Sequence, residues 1–105
     1  TVAGSSDTKH PLHTIRSVHE KHGYLLDPHT AAGVYVAHQF NELDDPVICL
    51  ATAHPAKFSK AIRDATGDDL AHHPALDALR NAKTRCETIA NDADAVKTYL
   101  AARAR

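Results

Sequence analysis

The chain is poor in the residues that build a large core. It has no Trp and no Met, two Phe and three Tyr. Large apolar residues (Leu, Ile, Val, Phe, Tyr) number twenty-four, and alanines alone nineteen. Small domains are marginal even with a good core. A chain of 105 residues made this way is expected to lean on a partner surface, either another chain or a further part of its own protein. An excess of charge is also lacking: 12 Lys+Arg face 13 Asp+Glu, with 9 His. That balance gives no electrostatic reason to expect nucleic acid or an anionic membrane as partner. No apolar run is long enough to span a bilayer, and nothing reads as a signal peptide. The start at Thr1, without Met and in a loop-like stretch, is what a fragment would show. There are two cysteines, far apart. Cys49 sits in the apolar run Val47-Ile48-Cys49-Leu50, so a buried free thiol in a reducing, cytoplasmic setting is expected rather than a disulfide. Internal repeats and low-complexity tracts are absent, and so is a glycine-rich loop able to cradle a phosphate.

What is present reads as helices around one apolar strand. Residues 1–10 form an irregular lead-in. Leu12, Ile15 and Val18 recur at helical spacing and predict a helix over 12–22, closed by Gly23. A second helix is predicted from Thr30 to about residue 43. Its residues 31–37 are apolar on every face, the mark of a buried helix, and its small side chains would admit another backbone. Pro46 opens the run 47–51, bounded by turn signals, which reads as a parallel strand buried on both faces. A third helix begins near Pro55, turns Phe58, Ile62 and Ala65 inward and ends at Gly67. A polar loop over 68–74, a short helix over 75–81 and an edge strand over 84–89 follow. Asn91 or Asp92 caps a last helix that buries Val96 and Leu100 and ends in Arg103 and Arg105. The pattern is α/β. Two strands do not make a doubly wound sheet, so the 105 residues are expected to be a single, incomplete segment of a larger fold.

In open parallel sheets ligands bind beyond the carboxyl ends of the strands. That rule places Thr52, Ala53 and His54 at the ligand position. The helix start at Pro55 to Phe58 would offer backbone N–H groups to an anion. Spacing alone is equally compatible with Thr52 as a strand terminator and His54 as a turn residue.

The stretch Leu50-Ala51-Thr52-Ala53-His54-Pro55-Ala56-Lys57-Phe58 resembles a signature near the C-terminus of threonine synthases. Residues 23–33, Gly23-Tyr24-Leu25-Leu26-Asp27-Pro28-His29-Thr30-Ala31-Ala32-Gly33, resemble a second one upstream of it. Thr14-Ile15-Arg16 with Val18 and the closing helix after Asn91-Asp92 add to the match. The resemblance covers nearly the whole chain and is weakest over 68–82. It implies the C-terminal part of a type II pyridoxal-phosphate (PLP) fold, in which helices and sheets enclose the cofactor. The implied reaction turns O-phospho-L-homoserine and water into L-threonine and phosphate. The resemblance assigns Thr52 to the cofactor's pyridine nitrogen, as a neutral hydroxyl donor. It puts Asp27 in a segment packed near the ring and His54 in the same turn as Thr52, where it would contact the ring or a reacting group, so Thr52, Asp27 and His54 are the cofactor-binding residues it implies. It supplies no catalytic residue within these residues: the Schiff-base lysine of the family lies much nearer the N-terminus, and Lys57 is not that lysine. The isolated chain is expected to be inactive, one wall of a site completed by the remainder of the same enzyme.

Two other readings compete. His10 and His13, then His19 and His22, are each three apart, and His72-His73 is a pair. Helical i, i+3 spacing puts side chains on one face. Pro11 interrupts the first pair, though, and no Cys or carboxylate completes a four-ligand set, so no metal site is expected. The other competitor is a non-enzymatic interaction module.

Overall fold

The computed structural model describes residues 3–40 and 46–104. The first helix, α1, spans Lys9–His22. It begins earlier than periodicity indicates because Asp7 organises its start. The Asp7 Oδ1 accepts the N–H groups of Lys9 at 2.8 Å and His10 at 2.9 Å. Pro11 falls in the first turn, where a missing N–H costs no helical hydrogen bond. The helix ends at Gly23, whose φ of 65° is left-handed and whose N–H donates to the His19 carbonyl at 2.9 Å. Helix α2 spans Pro28–His38, with Pro28 in its first turn and Asp27 as N-cap. It ends at His38, short of the residue 43 expected, with Gln39 as its C-cap; residues 41–43 lie outside the described residues.

A short 3-10 turn, Pro55–Lys57, leads into α3, Ser59–Thr66, which Gly67 closes with φ 84°. Helix α4 is a single turn, Pro74–Asp77, shorter than the 75–81 expected. Asp92 caps α5, Ala93–Ala101, accepting from the N–H groups of Asp94 at 3.0 Å and Ala95 at 2.9 Å.

Helix α1 is the hub and packs on both α2 and α3. The buried apolar side chains are Ile15 from α1, Leu26 before α2, Ala31 in α2, Ile62 and Ala65 in α3, and Ala71 beyond it. Half-buried Leu12, Val18, Leu25 and Val34 close the rim. Arg16 stitches α1 to α3: its Nε donates to the Ala65 carbonyl at 2.5 Å, one of the last-turn carbonyls a helix leaves without a partner of its own.

Three expectations are corrected. Among the described residues there is no strand. Val47, Ile48 and Leu50 are 56%, 86% and 80% exposed, and residues 84–89 are exposed throughout. A buried parallel strand needs neighbours on either side and cover on both faces, and among the described residues no segment supplies them. Cys49 shares the exposure of its run and is free, not buried. Finally, α2 and α5 are not wrapped. Gly33 on α2 is exposed, and Val96 and Leu100 of α5 are 39% and 60% exposed. Helix α5 packs closely on none of the other helices. It is tied instead to the segment before it: Arg103 pairs with Glu87 at 2.7 Å and stacks its guanidinium 3.8 Å over the Tyr99 ring.

Candidate functional site

The two signature segments meet in space. His29 in α2 and Phe58 beside the 3-10 turn touch edge to face, ring centres 5.1 Å apart at 77°. Between the starts of α1, α2 and α3 runs a groove of about 910 Å³, with Leu12, Pro28, Phe58 and Lys57 on its walls. Its charges are largely matched, since Lys60 holds Asp64 at 2.6 Å and Asp7 faces the same space.

Asp27 is 2% exposed. Its Oδ1 accepts the N–H of His29 at 2.9 Å and of Thr30 at 3.3 Å, and its Oδ2 accepts the Thr30 hydroxyl. Burial pushes its pKa up, but the Thr30 hydroxyl, the two N–H groups and the nearby His29 more than offset that. The net effect holds the carboxyl below its usual range. Its two oxygens are committed to the first turn of α2.

Thr52 lies exposed at the end of the apolar run, and the chain bends at Ala53. His54 is exposed as well, in extended backbone (φ −117°, ψ 137°), and its Nδ1 accepts the Ala56 N–H at 3.2 Å. The Lys57 N–H donates to the His54 carbonyl at 3.1 Å, and the Phe58 N–H to the Pro55 carbonyl at 2.9 Å. Pro55 has no N–H. The anion-binding start expected at 55–58 is therefore absent, because every N–H there already has an internal partner. Lys57 is exposed on the rim of the groove.

The three predicted residues do not converge on one another within this chain. Asp27 turns into its own helix cap, Thr52 faces open space, and His54 meets His73. The imidazoles of His54 and His73 stand edge to face, with centres 4.9 Å apart at 75°. Reading the sequence set His73 beside His72 and did not join it to His54. The signal was there: His54-Pro55-Ala56 recurs as His73-Pro74-Ala75. No group of three His, Cys, Asp or Glu side chains gathers around a possible metal position among the described residues. No helix there is long and apolar enough to cross a membrane.

Residues 30–100 match the family model for the C-terminal part of threonine synthase. A threonine synthase of Methylobacillus glycogenes is 36% identical over 99 residues, and one of Corynebacterium glutamicum 38% over 100. Each alignment takes in 94% of this chain and 21% of the relative. The crystal structure of PLP-bound threonine synthase from Brucella melitensis superposes with a TM-score of 0.80 at 39% identity, over 98% of this chain and 22% of that one. The chain thus spans about a fifth of the length of the proteins it matches. A family model matched across most of the chain, with a fold superposing over nearly all of it, shows that the chain belongs to the threonine synthase family, in its C-terminal part.

Proposed function

We propose that this chain forms one wall of the PLP site of a threonine synthase, a carbon–oxygen lyase of threonine biosynthesis. The complete enzyme would convert O-phospho-L-homoserine and water to L-threonine and phosphate. The observation that carries this reading is the fold match at 39% identity over 98% of the chain. When bound, the cofactor supplies an electron sink for carbanions on the substrate.

The residues present suit such a group from one side. Thr52 offers an exposed hydroxyl where the apolar run ends, the place ligands take at a sheet's carboxyl edge. That hydroxyl donates to the pyridine nitrogen without forcing the ring to be fully protonated. Asp27 acts through structure: its buried carboxylate fixes the start of α2, the segment beside the ring. His54 lines the turn that carries Thr52. Lys57 is a solvated lysine at the rim. The run 47–51 becomes a sheet strand once the rest of the enzyme lies beside it. Two unpaired, exposed cysteines suit a reducing, cytoplasmic setting.

The test is phosphate release from O-phospho-L-homoserine in the presence of PLP. A protein carrying this chain together with the rest of a threonine synthase is expected to turn over. The isolated 105 residues are expected to stay at the free-cofactor background. No release from the complete protein would overturn the reading.

A further inference from the structure

His54 and His73 occupy the same local structure twice. Each has extended backbone, with His73 at φ −155° and ψ 128°, and each precedes a proline that opens a helical turn. Each accepts, through Nδ1, the N–H of the alanine two residues on: Ala56 at 3.2 Å and Ala75 at 3.3 Å. The His73 N–H also donates to Asp77 Oδ2 at 3.2 Å, so the second turn is closed from both ends. The two rings then meet edge to face at 4.9 Å.

An imidazole whose Nδ1 accepts a hydrogen bond carries its neutral-state proton on Nε2. Which nitrogen is free is therefore set by the backbone, as it is wherever the other nitrogen is occupied. For His54 the nitrogen without a partner among the described residues is Nε2, and in the neutral ring it is a donor. An extended backbone, a proline-fixed turn and an abutting second imidazole together limit how the ring can turn.

We infer that His54 is a hydrogen-bond donor of the site, presenting Nε2–H to an acceptor oxygen of the bound substrate or cofactor. His73 is a positioning residue that keeps the ring in that state. His54 is then not a proton acceptor for the reaction at Nε2, because the lone pair that could take a proton is on Nδ1 and occupied. The inference rests on the proposal that the turn 52–54 lines the PLP site, but its structural half stands without it.

Two experiments separate the halves. The first reads the tautomer in the complete enzyme with ¹⁵N-histidine labelling and long-range ¹H–¹⁵N correlation at about pH 8, where ordinary imidazoles are neutral. His54 and His73 are each expected as a single Nε2–H tautomer, unlike the averaged signals of uncapped surface rings. In His73→Ala, His54 is expected to move toward that average. A protonated Nδ1 or an averaged signal at His54 in the unsubstituted chain would overturn the inference, whatever the enzyme's activity. The second also uses the complete enzyme. His54→Asn keeps an acceptor near the Nδ1 position and loses the Nε2 donor. His54→Gln keeps an N–H near the Nε2 position and loses the cap. Asn is expected to melt like the parent and to lose about ten- to a hundred-fold in kcat/KM, the size of one lost hydrogen bond to a bound group. Gln is expected to melt lower and keep most of the activity. Substrate KM and cofactor affinity, measured separately for Asn, show which of the two supplies the oxygen. Equal losses in Asn and Gln, or none in Asn, would overturn the donor role.

Discussion

Asp27 is a buried carboxylate whose charge serves its own helix. Its Oδ1 and Oδ2 take two backbone N–H groups and a hydroxyl in the first turn of α2, at the positive end of the helix dipole. Replacing it with Ala would strip the cap and leave those donors unmatched, at a cost of roughly 1–3 kcal/mol. Chemical denaturation is expected to show that loss at neutral pH. Because its folded pKa lies below the ordinary value, Asp27 adds stability above the unfolded carboxyl range of about 3.9. That stability is lost as pH falls through the folded value. In Asp27→Asn the acid limb of the stability profile is expected to flatten below about pH 4. An unchanged acid limb would show that the carboxylate's charge contributes nothing. The same buried geometry explains why a sequence motif alone did not reveal the role of Asp27. The segment 23–33 marks the residue, but only the fold shows its oxygens turned inward.

At the scale of elements, stop signals were the most legible feature and pairing the least. Gly23 and Gly67 both close helices in the left-handed conformation that glycine tolerates, and of the two caps polarity offers α5, Asn91 and Asp92, it is Asp92 that serves. These are local decisions, made by residues a few positions apart. The run 47–51 is a different case. Its composition states that it wants burial, but burial depends on neighbours beyond these residues, and here Ile48 is 86% exposed. Val96 and Leu100 went the same way: helical spacing identifies an apolar stripe without showing what will cover it. The join between α1 and α3 was not legible at all, since the Arg16–Ala65 bond spans 49 residues. Arg16→Ala is expected to destabilise by about 1–2 kcal/mol, the low end for a hydrogen bond from a charged donor, because Arg16 is exposed. Arg16→Lys, which lacks the planar guanidinium fork, is expected to recover only part of it in thermal melts. Full recovery by Lys would mean that charge, not the directed Nε bond, joins the helices.

At the scale of the whole molecule, the chain has too much surface. Its accessible area is 8560 Å², against about 5700 Å² for a compact protein of its mass. Its radius of gyration is 18.7 Å, against about 13 Å for a globular domain of this length. The excess is of the order that an obligate interface buries, and Ile48, Leu50 and Leu100 contribute to it. The relatives it matches are about five times longer, so the cover is expected to come from the rest of such an enzyme. Alone, the chain is expected to self-associate or to melt at or below the usual mesophile range of about 45–65 °C. Light scattering with a thermal scan checks this. A monodisperse monomer with a cooperative transition well above that range would contradict it.

If the turn after the exposed apolar run carries a PLP contact, as proposed, Thr52 is the residue that makes it. In the complete enzyme, Thr52→Val preserves the side chain's shape and removes its hydroxyl, whereas Thr52→Ser retains the hydroxyl. A buried partner left unsatisfied costs roughly 1–3 kcal/mol, and about 1.4 kcal/mol is tenfold in rate. Phosphate release from O-phospho-L-homoserine is expected to fall about ten- to a hundred-fold in Val and to stay near the parent's in Ser. Equal turnover by Val and the parent would contradict the account and leave Thr52 as the end of a strand and nothing more.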